Sequence, residues 1–312
     1  MWFKQARIFE LSKSIPYDAE WLEACLQPLV YTPCLPSFSA SHGWAPVIEN
    51  EHGSLVHASN GYLLFCLQVE EKILPSTVIQ QSVNEKIRSM EKKQGRKVSR
   101  KEKLDLKDEM TQTLLPRAFS KFSPVYAYID TRKNQLVVNH HNAKRIEAFE
   151  KLFSRCCDEI KLRNIQTKKI AYLLTQWLVN GGIPESFSIG EGCLLRDPDQ
   201  QTRRIRCQNQ DLFSNGLQSI LKDNHEVVEI TLHWQDRVIF NLTEDFHIKN
   251  IRYSDSLVDT AKNHPSENEE QRFDTNFYLM SETLSDLWND LLSYFGKPHE
   301  EKTSYTIVET IE

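Results

Sequence analysis

The stretch MEKKQGRKVSRKEKLDLK, residues 90–107, decides how this chain is read. Gly95 interrupts it, and SRKE at Ser99–Glu102 has the form of a capping box: the Ser99 hydroxyl accepts from the Glu102 amide and Glu102 reaches back. Upstream, Ser76 or Thr77 can cap a helix in which Val78, Ile79, Val83, Ile87 and Met90 recur at helical spacing, with polar and increasingly basic residues between them. Downstream, a second helix runs to about Leu115, where Pro116 stops it. Residues 76–115 thus read as a helical hairpin with a basic turn. Two narrow helices have few core contacts of their own, so the hairpin is expected to be an appendage on a larger body.

The charge of the hairpin is at odds with the charge of the chain. From Lys86 to Lys121 there are twelve cations against five acids, whereas the whole protein carries a net charge of -5 and the stretch 255–312 has four cations against thirteen acids. Such asymmetry points to a polyanion partner for the basic part; the bland alternative is the charged solvent face of a long helix.

With 312 residues the chain is long enough for two or three domains and a substantial core. Its longest apolar run, near GYLLFCLQV (61–69), is far shorter than the ~20 residues a membrane helix needs. MWFKQARIFELSK lacks the apolar centre of a signal peptide, so a cytosolic protein is expected, with no membrane partner. The seven cysteines (25, 34, 66, 156, 157, 193 and 207) lack CxxC spacing and read as reduced, mostly buried thiols, not a zinc site.

The rest of the chain alternates strand and helix patterns. Strands are expected at WFKQARIFEL, at GYLLFCLQVEEKIL up to Pro75, twice within 125–140, and at 186–196, 203–208, 226–234, 237–242 and 247–253. Helices are expected at 18–29, at NAKRIEAFEKLFSRC, at KKIAYLLTQWLVNGG ending on Gly181 and Gly182, at DLFSNGLQSILKD, and at MSETLSDLWNDLLSYF. TPCLPSFSASHGWAPVIENEHGS reads as irregular. The fold class is α+β with antiparallel sheets. The expected domains are a central α+β domain from 1–75 and 116–160, the inserted hairpin 76–115, a second α+β domain at 161–297, and a loose tail at 298–312.

Chemistry of a catalytic kind is hard to find. Gly190 and Gly192 lack the third glycine and the lysine of a phosphate loop. His140 and His141 are adjacent and, along a strand, would point to opposite faces. The acids of ENEH (49–52), Asp130 and DPD (197–199) lack the spacing of a recognisable metal site, and no base marks Cys34 or Cys66 as a nucleophile. A two-metal nuclease assembled from scattered carboxylates stays open as an alternative.

What remains is binding. Lys92, Lys93, Arg96, Lys97, Arg100, Lys101 and Lys103 are the candidate phosphate contacts, followed directly by Arg117 and Lys121. LLPRAFSKF (114–122) places large apolar groups beside these cations. Either Leu114, Leu115, Phe119 and Phe122 dock the hairpin on its body, or an aromatic stays exposed for a partner subunit or nucleic acid. Arg203, Arg204 and Arg206 form a second cluster, in which Arg204 and Arg206 share one face of a strand.

The sequence resembles the RdgC family of bacterial recombination-associated DNA-binding proteins. The matching pieces are MWFK at the start, YTPC (31–34), GWAP (43–46), EEKILPS (70–76), LKDE (106–109), LLPRAFSKF (114–122), TQWL (175–178), QDL (210–212) and QRFDTNFYLM (271–280). EEKILPS and LLPRAFSKF are the specific ones. The resemblance implies a closed homodimeric ring with a positive hole wide enough for duplex DNA. It also implies DNA binding with little sequence preference, restraint of RecA-driven strand exchange, a nucleoid-associated location, no catalysis and no cofactor. It further implies that Arg96 is a basic residue of the hairpin finger and that Phe119 sits at one of two ring-closing contacts. Before QDL the family pattern has a pair of cations, or a cation and a glutamine; here Gln208 and Asn209 stand, so that cation is missing, and whether Arg206 replaces it is open. Two rival readings keep their place: a metal-dependent repair nuclease, and an interaction scaffold whose basic hairpin binds an acidic protein. Whether single strands bind as well as duplexes is open.

Overall fold

The computed structural model describes residues 1–48, 53–263 and 268–297. Within them the protein is α+β, its strands pairing antiparallel wherever a register is defined between neighbours. The chain forms two compact units: Ala6–Arg163, and Met1–Gln5 together with the described residues from Asn164 onward. The 298–312 tail and ENEH (49–52) lie outside the described residues.

In the first unit the strands are β1 (Ala6–Leu11), β2 (Ala40–Ala45), β3 (Val56–Ser59), β4 (Tyr62–Ile73), β5 (Phe119–Asp130) and β6 (Gln135–Val138). They run in the order β2-β4-β5-β6-β1; β3 adds to β4, and β7 (Leu162–Asn164) pairs with β1. The unbroken apolar run of β4 is explained by burial on both faces from Tyr62 to Leu67. β4 and β5 pair from Tyr62↔Asp130 to Ile73↔Phe119, forming a long ribbon. The helices α1 (Ala19–Leu26) and α4 (Ala143–Cys156) contribute Leu22, Leu26, Ile146, Phe149, Leu152 and Phe153 to the core against this sheet. At its centre, Trp44 meets Phe65 and Phe149 edge-on with ring centroids 5.4 and 5.6 Å apart, and its indole N–H donates to the Cys156 sulfur.

Between β4 and β5 the chain leaves the sheet as two helices, α2 (Ser76–Gln94) and α3 (Arg100–Leu114). Gly95 ends α2 in the left-handed region (φ 68°), and the Ser99–Glu102 capping box starts α3 as the sequence indicates. The start of α2 is different: Pro75 occupies the capping position, so neither the Ser76 nor the Thr77 side chain caps the helix.

Four motif segments meet at this ribbon. The Tyr31 amide donates to the Trp44 carbonyl, tying YTPC to GWAP, and the approach is so close that a Cβ on Gly43 would stand 2.5 Å from the Tyr31 backbone. Only a glycine fits there, and Gly43→Ala is expected to cost about 1–3 kcal/mol, read from the urea midpoint. From β4, the buried Glu70 carboxylate accepts from the Ser120 hydroxyl (2.5 Å), the Tyr31 hydroxyl (2.5 Å) and the Cys34 amide (2.7 Å). These donors favour the charged form and hold its pKa at about 2. A carboxylate lowered by folding stabilises the native state above its unfolded pKa and loses that contribution as pH falls. Thermal midpoints of wild type and Glu70→Gln should therefore converge between about pH 5 and the Glu70 pKa of about 2, as protonation costs the wild type what the variant already lacks.

The second unit contains β8 (Phe187–Arg196), β9 (Arg204–Gln208), β10 (Glu226–Trp234), β11 (Val238–Thr243) and β12 (His247–Tyr253), ordered β12-β11-β10-β8-β9. Its helices are α5 (Ile170–Asn180), α6 (Asn215–Lys222), α7 (Asp255–Asn263) and α8 (Glu269–Phe295). Of the apolar stripe expected on α8, Leu284, Leu287, Trp288 and Leu291 are core and Leu292 is half-buried. The first residues join this unit: the Phe3 amide donates to Met280 Sδ, and the Lys4 carbonyl accepts from Ile251.

Several expectations need correction. The irregular segment contains β2, whose alternation is hidden by Gly43 and by polar residues on an edge strand. α8 begins eleven residues before the expected Met280, and α7 was not expected at all. β5 starts at Phe119, six residues before the strand expected from 125. His140 and His141 follow β6 instead of belonging to a strand; their rings stack 5.9 Å apart and do not point to opposite faces.

Candidate nucleic-acid interface

The hairpin has a core of only three buried side chains, Val83, Val98 and Leu106, with Ile79, Ile87, Met90 and Met110 packed around them. Every remaining face is open to water, and this leaves the cations exposed. Lys92, Lys93, Lys97, Arg100, Lys101 and Lys103 are all exposed and none is in an ion pair with a described residue.

Arg96 is the exception. Its guanidinium donates to both oxygens of Glu102, at 2.6 and 3.1 Å, closing the turn onto the capping box. The Arg96 bonds, with the Ser99 amide, lower Glu102 to about 2, and Glu102 in turn raises Arg96. Arg96 therefore shapes the tip, and any phosphate must compete with Glu102 for it. A second bridge, Lys86 to Glu109 at 3.6 Å, ties α2 to α3.

Arg100, Lys103 and Lys107 follow at helical spacing along one side of α3. With Gln80, Asn84, Val83, Ile87 and Leu104 they line a groove of about 270 Å³ between the helices. Lys107 is missing from the contact set read off the sequence, although its position four residues beyond Lys103 is the signal that would have found it.

At the foot of the hairpin Leu115 is buried, so it docks the hairpin as one of the two alternatives supposes. The aromatics do not: Phe119 is 84% exposed and Phe122 59%, with Ile73, the cross-strand partner of Phe119, 49% exposed. Arg117 and Lys121 are exposed beside them. At the end of the β4–β5 ribbon Phe119 and Ile73 thus form an open apolar patch beside Lys121 on one face, while Phe122 is exposed on the other.

Arg203, Arg204 and Arg206 belong to the second unit. Arg204 and Arg206 are exposed on one face of β9, an edge strand, opposite Arg196 and Leu194 of β8. Arg196 is held by Glu226 and Glu244, at 2.9 and 2.6 Å, and Arg203 lies 3.9 Å from Asp197. Gln208 and Asn209 are exposed just beyond. The two cationic clusters therefore sit on different units.

No three His, Cys, Asp or Glu side chains stand together as a metal-binding set among the described residues. No described helix is long and apolar enough to cross a membrane.

The class defined by these features is an α+β protein with a projecting cationic helical hairpin and a basic edge strand. The chain belongs to the RdgC family: the family model described as "RdgC: Putative exonuclease, RdgC" matches residues 1–298. Curated relatives carry the name "Recombination-associated protein RdgC". That of Proteus mirabilis (strain HI4320) is 32% identical over 297 residues, covering 95% of this chain and 98% of the relative. Those of Yersinia pestis (strain Pestoides F) and Salmonella paratyphi B (strain ATCC BAA-1250 / SPB7) are 32% and 33% identical over the same lengths.

Proposed function

We propose that this chain is a non-enzymatic DNA-binding protein that holds duplex DNA by its phosphates, as a homodimeric ring that limits RecA-mediated recombination. The observation carrying the proposal is the set of six exposed hairpin cations without carboxylate partners, in a protein of net charge -5 that has acids to spare. Like charges gathered without counter-charges repel one another, and a polyanion relieves that repulsion while releasing its condensed counterions. Contacts to phosphate position a protein without reading bases, so weak sequence dependence is expected. Arg117 and Lys121 add to this field, and Arg203, Arg204 and Arg206 are a second set of phosphate contacts on the other unit. The name carried by the relatives, recombination-associated protein, supports the setting.

The test has two arms. Affinity for a duplex should fall steeply between low and moderate salt and vary little with sequence; flat affinity overturns the reading. If the protein is a ring, a closed circle and the same DNA linearised with blocked ends should be released at different rates. Failure to shift any DNA at low salt, with the fold intact, favours the scaffold reading.

The ring needs a self-contact, and the open patch of Ile73 and Phe119 suits one. Phe119→Arg is expected to shift the mass in solution from dimer toward monomer in sedimentation equilibrium, without loss of circular dichroism. An unchanged dimer removes Phe119 from the contact.

A nuclease is the second reading, favoured by the words of the family description. Linear and circular DNA with magnesium or manganese distinguishes the two: cleavage that persists through repurification overturns the non-enzymatic reading.

A further inference from the structure

Cys193 on β8 and Cys207 on β9 are direct cross-strand partners. Both are free thiols; Cys193 is buried, Cys207 is partly open on the edge strand, and their side chains are within hydrogen-bonding reach of each other. Paired residues of an antiparallel ladder have Cα atoms about 4.5–5.5 Å apart, inside the span a disulfide bridges. Their Cβ atoms stand about 4.5–5.5 Å apart and must draw in by roughly 1 Å to bond. β9 can supply that movement because, among the described residues, it is paired only on its β8 side.

We propose that Cys193 and Cys207 form a reversible disulfide under thiol-oxidising conditions, stapling the edge strand that displays Arg204 and Arg206. The oxidant is a small-molecule disulfide. The partly exposed Cys207, as thiolate, attacks one sulfur of that disulfide; the old S–S bond breaks and one small thiolate leaves, giving a mixed disulfide on Cys207. Cys193, having lost its proton to solvent, then attacks Sγ of Cys207 and expels the second small thiolate. The two protein thiols lose two protons and two electrons, and the small disulfide becomes two thiols. Burial, with Cys207 alongside, pushes the Cys193 thiol up to about 12, so the second step is the slow one. The other close thiol pair, Cys25 and Cys157, joins α1 to the end of α4 inside a packed core, where neither side can yield as an edge strand does.

The inference is independent of what Arg204 and Arg206 bind. Its test treats the full chain with oxidised glutathione and follows intact mass, linked peptides and hydrogen exchange. Expected are a mixed adduct that gives way to loss of two hydrogens, a linked peptide pair containing Cys193 and Cys207, and amides of β9 exchanging at least ~10-fold more slowly than in the reduced protein. Dithiothreitol should reverse all three. Cys193→Ser should stop at the mixed adduct, and Cys207→Ser should form neither adduct nor link at this site. A persistent adduct in the wild type, a link formed only elsewhere, or no reaction at all overturns the proposal.

Discussion

Replacing Lys97, Arg100 and Lys101 together with alanine is expected to lower duplex affinity at about 0.1 M salt by roughly 10²–10³-fold and to reduce the slope of log K against log salt by about 3. Each phosphate contact releases about 0.9 of a counterion, so three lost contacts account for both figures. The fold should survive, because all three side chains are exposed and alanine favours the helix that Arg100 and Lys101 begin. The measurement is a binding isotherm at several salt concentrations. A triple variant with an unchanged slope would mean that phosphates do not touch the tip. Arg96→Ala alone should change the slope by less than about 1, because the guanidinium is already engaged by Glu102.

The second large effect is structural. Trp44→Ala removes an indole that is fully buried and wedged between Phe65 and Phe149, and it leaves the Cys156 sulfur without its donor. A truncation of this kind costs about 3–5 kcal/mol. Because the chain has two compact units, unfolding need not be two-state, and hydrogen exchange resolved by segment is the suitable measurement. Protection should fall in β2, β4 and β5 and remain in β10 and β11. Equal loss in both sets would mean that the units unfold together.

How much of this was legible beforehand varied with the kind of signal. The hairpin was read almost to the residue, because Gly95 and the Ser99–Glu102 box are local devices that act through neighbouring backbone groups. β4, β8, β10, β11 and β12 announced themselves by apolar runs or alternation. β2 did not, because an edge strand that must let Tyr31 pass over Gly43 sacrifices its pattern to a tertiary contact. The early start of α8 was hidden by QRFDTNF, whose polar residues face water along one side while Phe277 turns into the core. At the candidate interface, the identity of the cations was visible but their pairing was not. Nothing in the spacing of Arg96 and Glu102 distinguishes an ion pair from two independent charges, since their meeting depends on how the turn folds between them. The exposure of Phe119 and Phe122 was likewise open until the strand carrying them was placed.

The slenderness of the hairpin has an outcome for motion as well as for contact. Three buried side chains are too few to anchor two helices as firmly as the sheet is anchored, so α2 and α3 can loosen and re-form while β4 and β5 hold their places. A ligand that grips both helices across their shared groove would bind the assembled form alone and draw the population toward it. Order at the tip and occupancy by a polyanion then become two readings of one equilibrium.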